Sequence, residues 1–431
     1  MAWLVEMLWG VPMVGLLVVV GVVMSLRTRF VQVRKLPAAI GQVGRSMRST
    51  DRSAFRSVCT ALAATVGTGN IAGVAGAISL GGPGAVFWMW VAAFFGMATK
   101  YAEVTLAVKH KTKDSKGGPM YYIIGGMGER FRPLAVAFAL FAVLASFGMG
   151  NIAQINTISQ SICQALPFVP RFPATLLTGV VTAAVVAAVT LGGVKRIGQV
   201  TEKIVPLMAA MYILSMLVVI VLFRHRLGQV MSDIFRGAFS PEAVLGGGVG
   251  ITLRQALRMG VSRGVLSNEA GMGSAPIAHA SSTLPAHEQG LMGIFEVFFD
   301  TCVLCTLTAL AILSSGVCIT YGEAAGVELS TEAMTTVFGS FAPTVQLITV
   351  TLLAFATMIS WQLYGQRCAE FLGFGGYGMC YVAVIVLGAT MDLSAAWAVA
   401  DVCNALMCLP NLTALLLLGG KADWKTGRFV P

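Results

Sequence analysis

Eleven apolar stretches of about 20 residues, joined by short loops, constrain this chain more than any other feature. They cover approximately 4–26, 54–79, 84–108, 134–158, 175–191, 201–223, 249–280, 291–319, 343–371, 375–391 and 394–418. A helix of that length crosses the hydrocarbon core of a bilayer, where every backbone polar group must be satisfied within the structure. The alternating polar and apolar pattern of barrel strands is absent. Only 11% of the 431 residues are charged and 56% are apolar, whereas soluble domains carry roughly 25% charged residues. So little charge cannot cover a soluble globule of this size. The expected fold is an all-α polytopic membrane protein with about 11 transmembrane helices, which excludes a soluble enzyme, a nucleic-acid binder and a disordered chain.

The loops carry their Lys and Arg unevenly. Twenty lie in the alternate loops that begin after the first run, together with the tail. The opposite set holds four: Arg171, Arg224, Arg226 and Arg236. The positive-inside rule then places the N-terminus outside and the C-terminus in the cytoplasm of a cell (inner or plasma) membrane protein. Residues 1–24 lack a basic n-region and a clear small-residue cleavage site, so they are expected to stay as a span. The basic stretch 27–53 reads either as an amphipathic helix on anionic headgroups or as a solvated linker. Nine cysteines lie mostly in or beside the apolar runs and are expected to be structural. Cys302 and Cys305 form a CxxC, but no second pair completes a metal site. No cofactor is expected.

Two runs are poor helices by composition. One holds Gly67, Gly69, Gly73 and Gly76, the other Gly260, Gly264, Gly271, Gly273 and Pro276. Each glycine costs up to ~1 kcal/mol of helix propensity relative to Ala. Unwound backbone survives at membrane depth only where it is buried in protein or lines a polar cavity, and its freed carbonyls and N–H groups suit a cation and a carboxylate. Close helix packing through small-xxx-small spacing explains Gly69-x-x-x-Gly73 equally well. It does not explain the polar cluster Ser267-Asn268-Glu269, because polar groups in a span are expensive. The interrupted runs stand five elements apart, the pattern of an inverted-repeat transporter with its site near the midplane. The chain then divides into 1–53 (extra helix and basic linker), 54–223 and 249–418 (two five-helix repeats) and 419–431 (tail).

Several segments resemble the alanine/glycine:cation symporter family: Thr65–Gly73, Gly81–Trp90, Gly96–Glu103, Gly117–Tyr122 and, most specifically, Ser267–Ala280. The resemblance runs over nearly the whole chain. It implies one extra N-terminal helix before a 5+5 inverted-repeat core like that of the bacterial leucine transporter. It also implies uptake of small neutral amino acids such as alanine or glycine, usually coupled to Na⁺. By that match the carbonyls of Ala63 and Val66 face one Na⁺, completed by the Ala354 carbonyl and the Thr357 hydroxyl. Thr65 and Asn70 face a second cation or the substrate carboxylate. Gly67, Thr68 and Gly69 offer backbone groups to the amino acid, Gln154 reaches it, and Trp361 caps the pocket. Leu266 stands where the family commonly has an aromatic residue, and Gly271, Met272 and Gly273 form a tight wall. Two further departures are Ala356, often serine, and Gln366, commonly a glutamate near a cytoplasmic gate or salt bridge.

The intramembrane acids leave alternatives open. Glu269 accepts bonds from freed N–H groups, pairs with Arg263, or takes up a proton. Asp300 needs a partner, which the sequence offers as Na⁺, Thr301, Thr306, Arg254 or Arg258. An intramembrane enzyme is unsupported: there is no H-E-x-x-H, no G-x-S-x-G and no Walker motif. A channel is disfavoured by the two-half organisation. The expected partners are a small neutral amino acid, Na⁺ and the lipid bilayer, and not nucleic acid.

Overall fold

The computed structural model describes residues 7–241, 251–391, 393–420, 422–423 and 428–429. The starts of the first and seventh apolar runs and most of the 419–431 tail lie outside the described residues. The order of helices is α1 (Val11–Arg27), α2 (Leu36–Arg48), α3 (Ser53–Thr65), α4 (Ala72–Gly81), α5 (Gly84–Lys109), α6 (Pro119–Met127), α7 (Arg132–Phe147) and α8 (Ala153–Ala165). There follow α9 (Arg171–Thr190), α10 (Gly193–Leu222), α11 (Leu227–Phe239), α12 (Leu253–Asn268), α13 (Ala275–His279), α14 (Ala286–Val297) and α15 (Thr306–Ser315). The last are α16 (Val327–Phe338), α17 (Ala342–Leu372), α18 (Tyr377–Thr390) and α19 (Leu393–Leu418). Ala422–Asp423 pairs with Arg428–Phe429 as a small ribbon.

Each apolar run falls on helix, yet they are not equivalent. Among the described residues seven helical stretches are long and apolar enough to cross a membrane, or eight if the bent pair Ser53–Thr65 and Thr68–Gly81 is one span. The first and tenth runs form shorter apolar helices, Pro12–Arg27 and Tyr377–Thr390. The seventh is divided between α12 and α13 and carries Arg254, Arg258 and Arg263, so no continuous apolar helix of spanning length forms there. Two long helices contain wide π turns, Gly148–Ile152 between α7 and α8 and Phe298–Cys305 between α14 and α15. Such turns often mark functional positions, and nothing in the apolar patterning announces them.

Helix α5 lies at the centre, packed along α1, α12 and α14. That position buries Lys100 and Glu103, which would be untenable on a lipid-facing helix. At its N-terminus Gly84 touches the backbone of Gly237, so α11 packs directly on the start of α5. In the 27–53 stretch, α2 is amphipathic but docks on protein: Ala39, Gln42, Val43 and Ser46 are buried, and Gln42 donates to Glu288 at 3.0 Å. All nine cysteines are free thiols.

Candidate functional site

The first break starts where α3 stops at Thr65. Gly67 is extended, Thr68–Asn70 make one 3₁₀ turn, and the two helical halves diverge by 52°. An α-helix would use the Gly67 N–H to satisfy the Ala63 carbonyl. Instead that N–H donates to Asn70 Oδ1 at 3.0 Å. The Ala63 carbonyl accepts from the Thr357 hydroxyl at 3.0 Å, across to α17. A Cβ on Gly67 would fall 2.5 Å from Thr357 Oγ1, so only glycine fits this approach. The Thr68 hydroxyl donates to Gln154 Oε1 at 3.0 Å, and Gln154 Nε2 is held by the Met149 carbonyl at 3.0 Å. That carbonyl belongs to the first π turn.

Asn70 links this break to the second π turn. Its Nδ2 donates to Asp300 Oδ1 at 2.7 Å and to Ser267 Oγ at 3.0 Å. The Ser267 and Thr301 hydroxyls donate to Asp300 Oδ2 at 2.8 and 2.9 Å. The freed Asn70 carbonyl accepts from Thr308 Oγ1 at 2.8 Å, and Thr308 is bonded in turn to Tyr212. Asn70 and Asp300 are fully buried. The sequence left the partner of Asp300 open. The structure supplies Asn70, Ser267 and Thr301 rather than Arg254 or Arg258.

The second break is built differently. Glu269 closes α12 in the left-handed region at φ 56°, followed by Gly271 at φ 91° and Gly273 at φ 78°. Glycine tolerates those angles without the Cβ penalty. The Gly273 N–H donates to Glu103 Oε1 at 3.1 Å, and Asn411 Nδ2 donates to the Gly271 carbonyl at 2.9 Å. Asn411 also bonds Glu103 and Tyr122. Glu269 accepts from the Trp361 indole at 2.9 Å and from the Ser274 hydroxyl. One offered pairing is therefore corrected: Arg263 reaches Asp401 at 3.4 Å, not Glu269, because the left-handed turn aims the Glu269 side chain at Trp361 and Ser274.

The residues proposed from sequence thus separate into groups. Ala63, Gly67, Thr68, Gln154 and Thr357 converge, with Ala354 and Val66 buried beside them. Asn70 joins Asp300 through a second set of contacts. Thr65 turns its hydroxyl back onto the Ala61 carbonyl at 3.2 Å. A Cβ on Gly69 would lie 3.7 Å from the Ser267 Cα, so this glycine sits against the end of α12. Leu266, Met272 and Trp361 belong to one buried apolar cluster. Gly271 and Gly273 face Leu17, Leu412, Pro119 and Phe138 rather than the first break. Gln366 bonds Glu370 at 3.3 Å near the end of α17, far along the helix from Thr357.

Other buried polar groups lie outside the residues proposed as the site. Lys100 pairs with Glu296 at 3.5 Å, Glu296 with His279 at 3.1 Å, and Gln289 joins His279 to Ser57. Lys100 and Glu103 were visible as charges inside an apolar run, which is itself a signal of a site or a partner. Outside the spans, Asp51 accepts from Thr283 and Ser53, bonds that hold its carboxyl below the usual range and tie the loop before α3 to the loop after α13. Arg56 and Arg52 reach Glu202, in the third turn of α10, at 3.1 and 3.6 Å. Among the described residues no group of three or more His, Cys, Asp or Glu is arranged to hold a metal ion.

Comparison with known proteins places this geometry. The profile of the sodium:alanine symporter family matches residues 1–429. An uncharacterized transporter of Haemophilus influenzae is 42% identical over 95% of this chain and 91% of its own length. The sodium/alanine symporter AgcS of Methanococcus maripaludis is 40% identical, with 98% and 94% covered. GlnT of Bacillus subtilis, described as a probable sodium/glutamine symporter, is 38% identical, with 96% and 86% covered. Among solved structures, a manganese transporter of Eremococcus coleocola shares the fold at a TM-score of 0.54 and 13% identity, over 85% of this chain and 76% of that one.

Proposed function

Because the chain belongs to the sodium:alanine symporter family, we propose that it carries a small neutral amino acid, alanine or glycine, into the cell together with Na⁺ by alternating access. The observation that carries this reading is the meeting of Ala63, Gly67 and Thr357. A broken helix leaves a carbonyl to a hydroxyl from α17, in a space too tight for any side chain on Gly67. Na⁺ is a hard cation that prefers oxygen ligands, as other hard cations do. The Ala63, Val66 and Ala354 carbonyls and the Thr357 hydroxyl form its first site. The Asp300 carboxylate and the Ser267 hydroxyl form the second cation site, joined by Asn70 once its amide turns to present Oδ1 in place of the Nδ2 that now donates to both.

The amino acid lies along Gly67–Gly69, with Gln154 on one side and Leu266 and Trp361 closing the apolar side. Ion and substrate favour the same closed state because they share the first break, a coupling that is reciprocal by linkage. The finer architecture follows: α1 stands before two five-helix repeats over 54–223 and 249–418, each opening with a broken helix. The N-terminus is outside and the tail cytoplasmic. The ion pairs from Arg52 and Arg56 to Glu202 then close the cytoplasmic side and part when the carrier opens inward.

Counterflow in proteoliposomes tests the reading, with radiolabelled alanine, glycine and glutamine and with Na⁺ replaced by choline. The expected result is saturable exchange of alanine or glycine that collapses in choline. Exchange of equal rate in choline would overturn Na⁺ coupling, and exchange of glutamine alone would overturn the substrate class.

A further inference from the structure

The second π turn does more than place Asp300. Its wide coil sets Asp300 and Cys305 on one face, so the thiol and the carboxylate meet the same two groups. Cys305 Sγ lies 3.2 Å from Ser267 Oγ and 3.3 Å from Asn70 Nδ2. The two Asp300 oxygens lie 2.8 and 2.7 Å from those same atoms. The arrangement is closed and buried, with Cys305 only 2% exposed. The other cysteine of the CxxC, Cys302, instead packs at the edge of an apolar cluster. No Lys, Arg or His pairs directly with Asp300 among the described residues: its hydrogen-bond partners are all neutral, and Lys100, itself paired with Glu296, acts on it only at longer range, so a bound cation would relieve the cost of the buried carboxylate.

We propose that Asp300, Cys305 and Ser267 form a binding site for a thiophilic divalent cation of the Cd²⁺ or Zn²⁺ class, at the position otherwise taken by the second Na⁺. The metal site itself stands on this geometry, whereas its competition with Na⁺ rests on the transport reading. A carboxylate and a hydroxyl alone suit a hard cation, while a thiolate adds preference for a softer one. As the metal–sulfur bond forms, the thiol proton leaves to water, and the metal's charge is balanced by thiolate and carboxylate together. Occupied in this way, the site ties Asp300, Cys305 and Ser267 to a cation too strongly bound to leave, and the Asn70 amide loses the acceptors it now donates to. Thiophilic metal is therefore an inhibitor that acts from within the transport path.

The test is a Cd²⁺ titration of the purified full chain in lipid nanodiscs without Na⁺, read by the ultraviolet charge-transfer band of cadmium thiolate. The wild type is expected to exceed Cys305→Ser by one equivalent, Cys302→Ser to match the wild type, and Asp300→Asn to bind at least tenfold more weakly. In proteoliposomes, with each variant read against its own cadmium-free rate, Cys305→Ser should need at least tenfold more Cd²⁺ for half-inhibition. Identical titrations of wild type and Cys305→Ser would overturn the site. Added Na⁺ should displace the metal. Cadmium bound at Cys305 that Na⁺ does not weaken would leave the metal site standing and overturn the assignment of Asp300 to Na⁺.

Discussion

The two helix breaks interrupt the chain in similar glycine-rich sequence, but what they leave unsatisfied is opposite in kind. At the first, the freed groups include the Ala63 and Asn70 carbonyls, met by hydroxyls of Thr357 and Thr308. A hydroxyl can rotate its proton away and offer its own oxygen, so this neighbourhood converts readily into a cage for a cation. At the second, the Gly273 N–H is capped by Glu103, and the acid that ends α12, Glu269, is fixed by Trp361 and Ser274. Protein carboxylates already occupy that anion-binding end. On the proposed reading the first break exchanges ligands, whereas the Glu269–Gly273 turn, beyond Leu266 and Ser267, holds two helices in register.

The largest effect that should separate the two is Gly67→Val. The new side chain displaces Thr357 from the Ala63 carbonyl, and β-branching leaves it no room to turn aside. Na⁺-driven uptake should vanish while the purified protein keeps its monodisperse elution and helical circular dichroism. Retained uptake would remove Gly67 from the ion site. Gly273→Ala comes next and should fail in a different way. At φ 78° a Cβ costs about 1–2 kcal/mol, and it would also lie 2.6 Å from Pro119 Cγ. The variant should melt at a lower temperature yet show the wild-type Na⁺ dependence in the protein that remains folded. A raised Na⁺ requirement with unchanged melting would mean that the second break binds ligand after all.

The apolar periodicity located the helices and the glycine clusters located both breaks, because hydrocarbon length and helix propensity act locally along the chain. Asp300 was legible as a site residue for the same reason: a charge in an apolar run demands a partner. Which partner it has was not legible, since Asn70 and Ser267 reach it from helices 230 and 33 residues away in sequence. The π turn that aligns Asp300 with Cys305 was equally hidden, because one added residue per turn leaves the apolar pattern intact. Gly271 and Gly273 illustrate the converse. The family resemblance placed them in a substrate wall, and the structure adds an independent reason for glycine there: left-handed backbone and close packing against Leu17 and Pro119.

Thr357→Val is the gentlest probe and the most informative about the first break. Valine keeps the shape and β-branching of threonine, so packing against Gly67 is preserved and only an oxygen is lost. The Ala63 carbonyl then has no hydroxyl partner in the empty protein and one fewer fellow ligand in the Na⁺-bound one. A hydrogen-bonding oxygen contributes about 1 kcal/mol, which corresponds to a roughly fivefold higher half-saturating Na⁺ concentration. Maximal uptake at saturating Na⁺ should change less, because the amino acid's contacts along Gly67–Gly69 remain. Thr357→Ser should restore the Na⁺ affinity, since it returns the oxygen without the methyl group. If serine and valine were equally impaired, the threonine methyl would be the important group, and the hydroxyl would have to be struck from the ion's ligands.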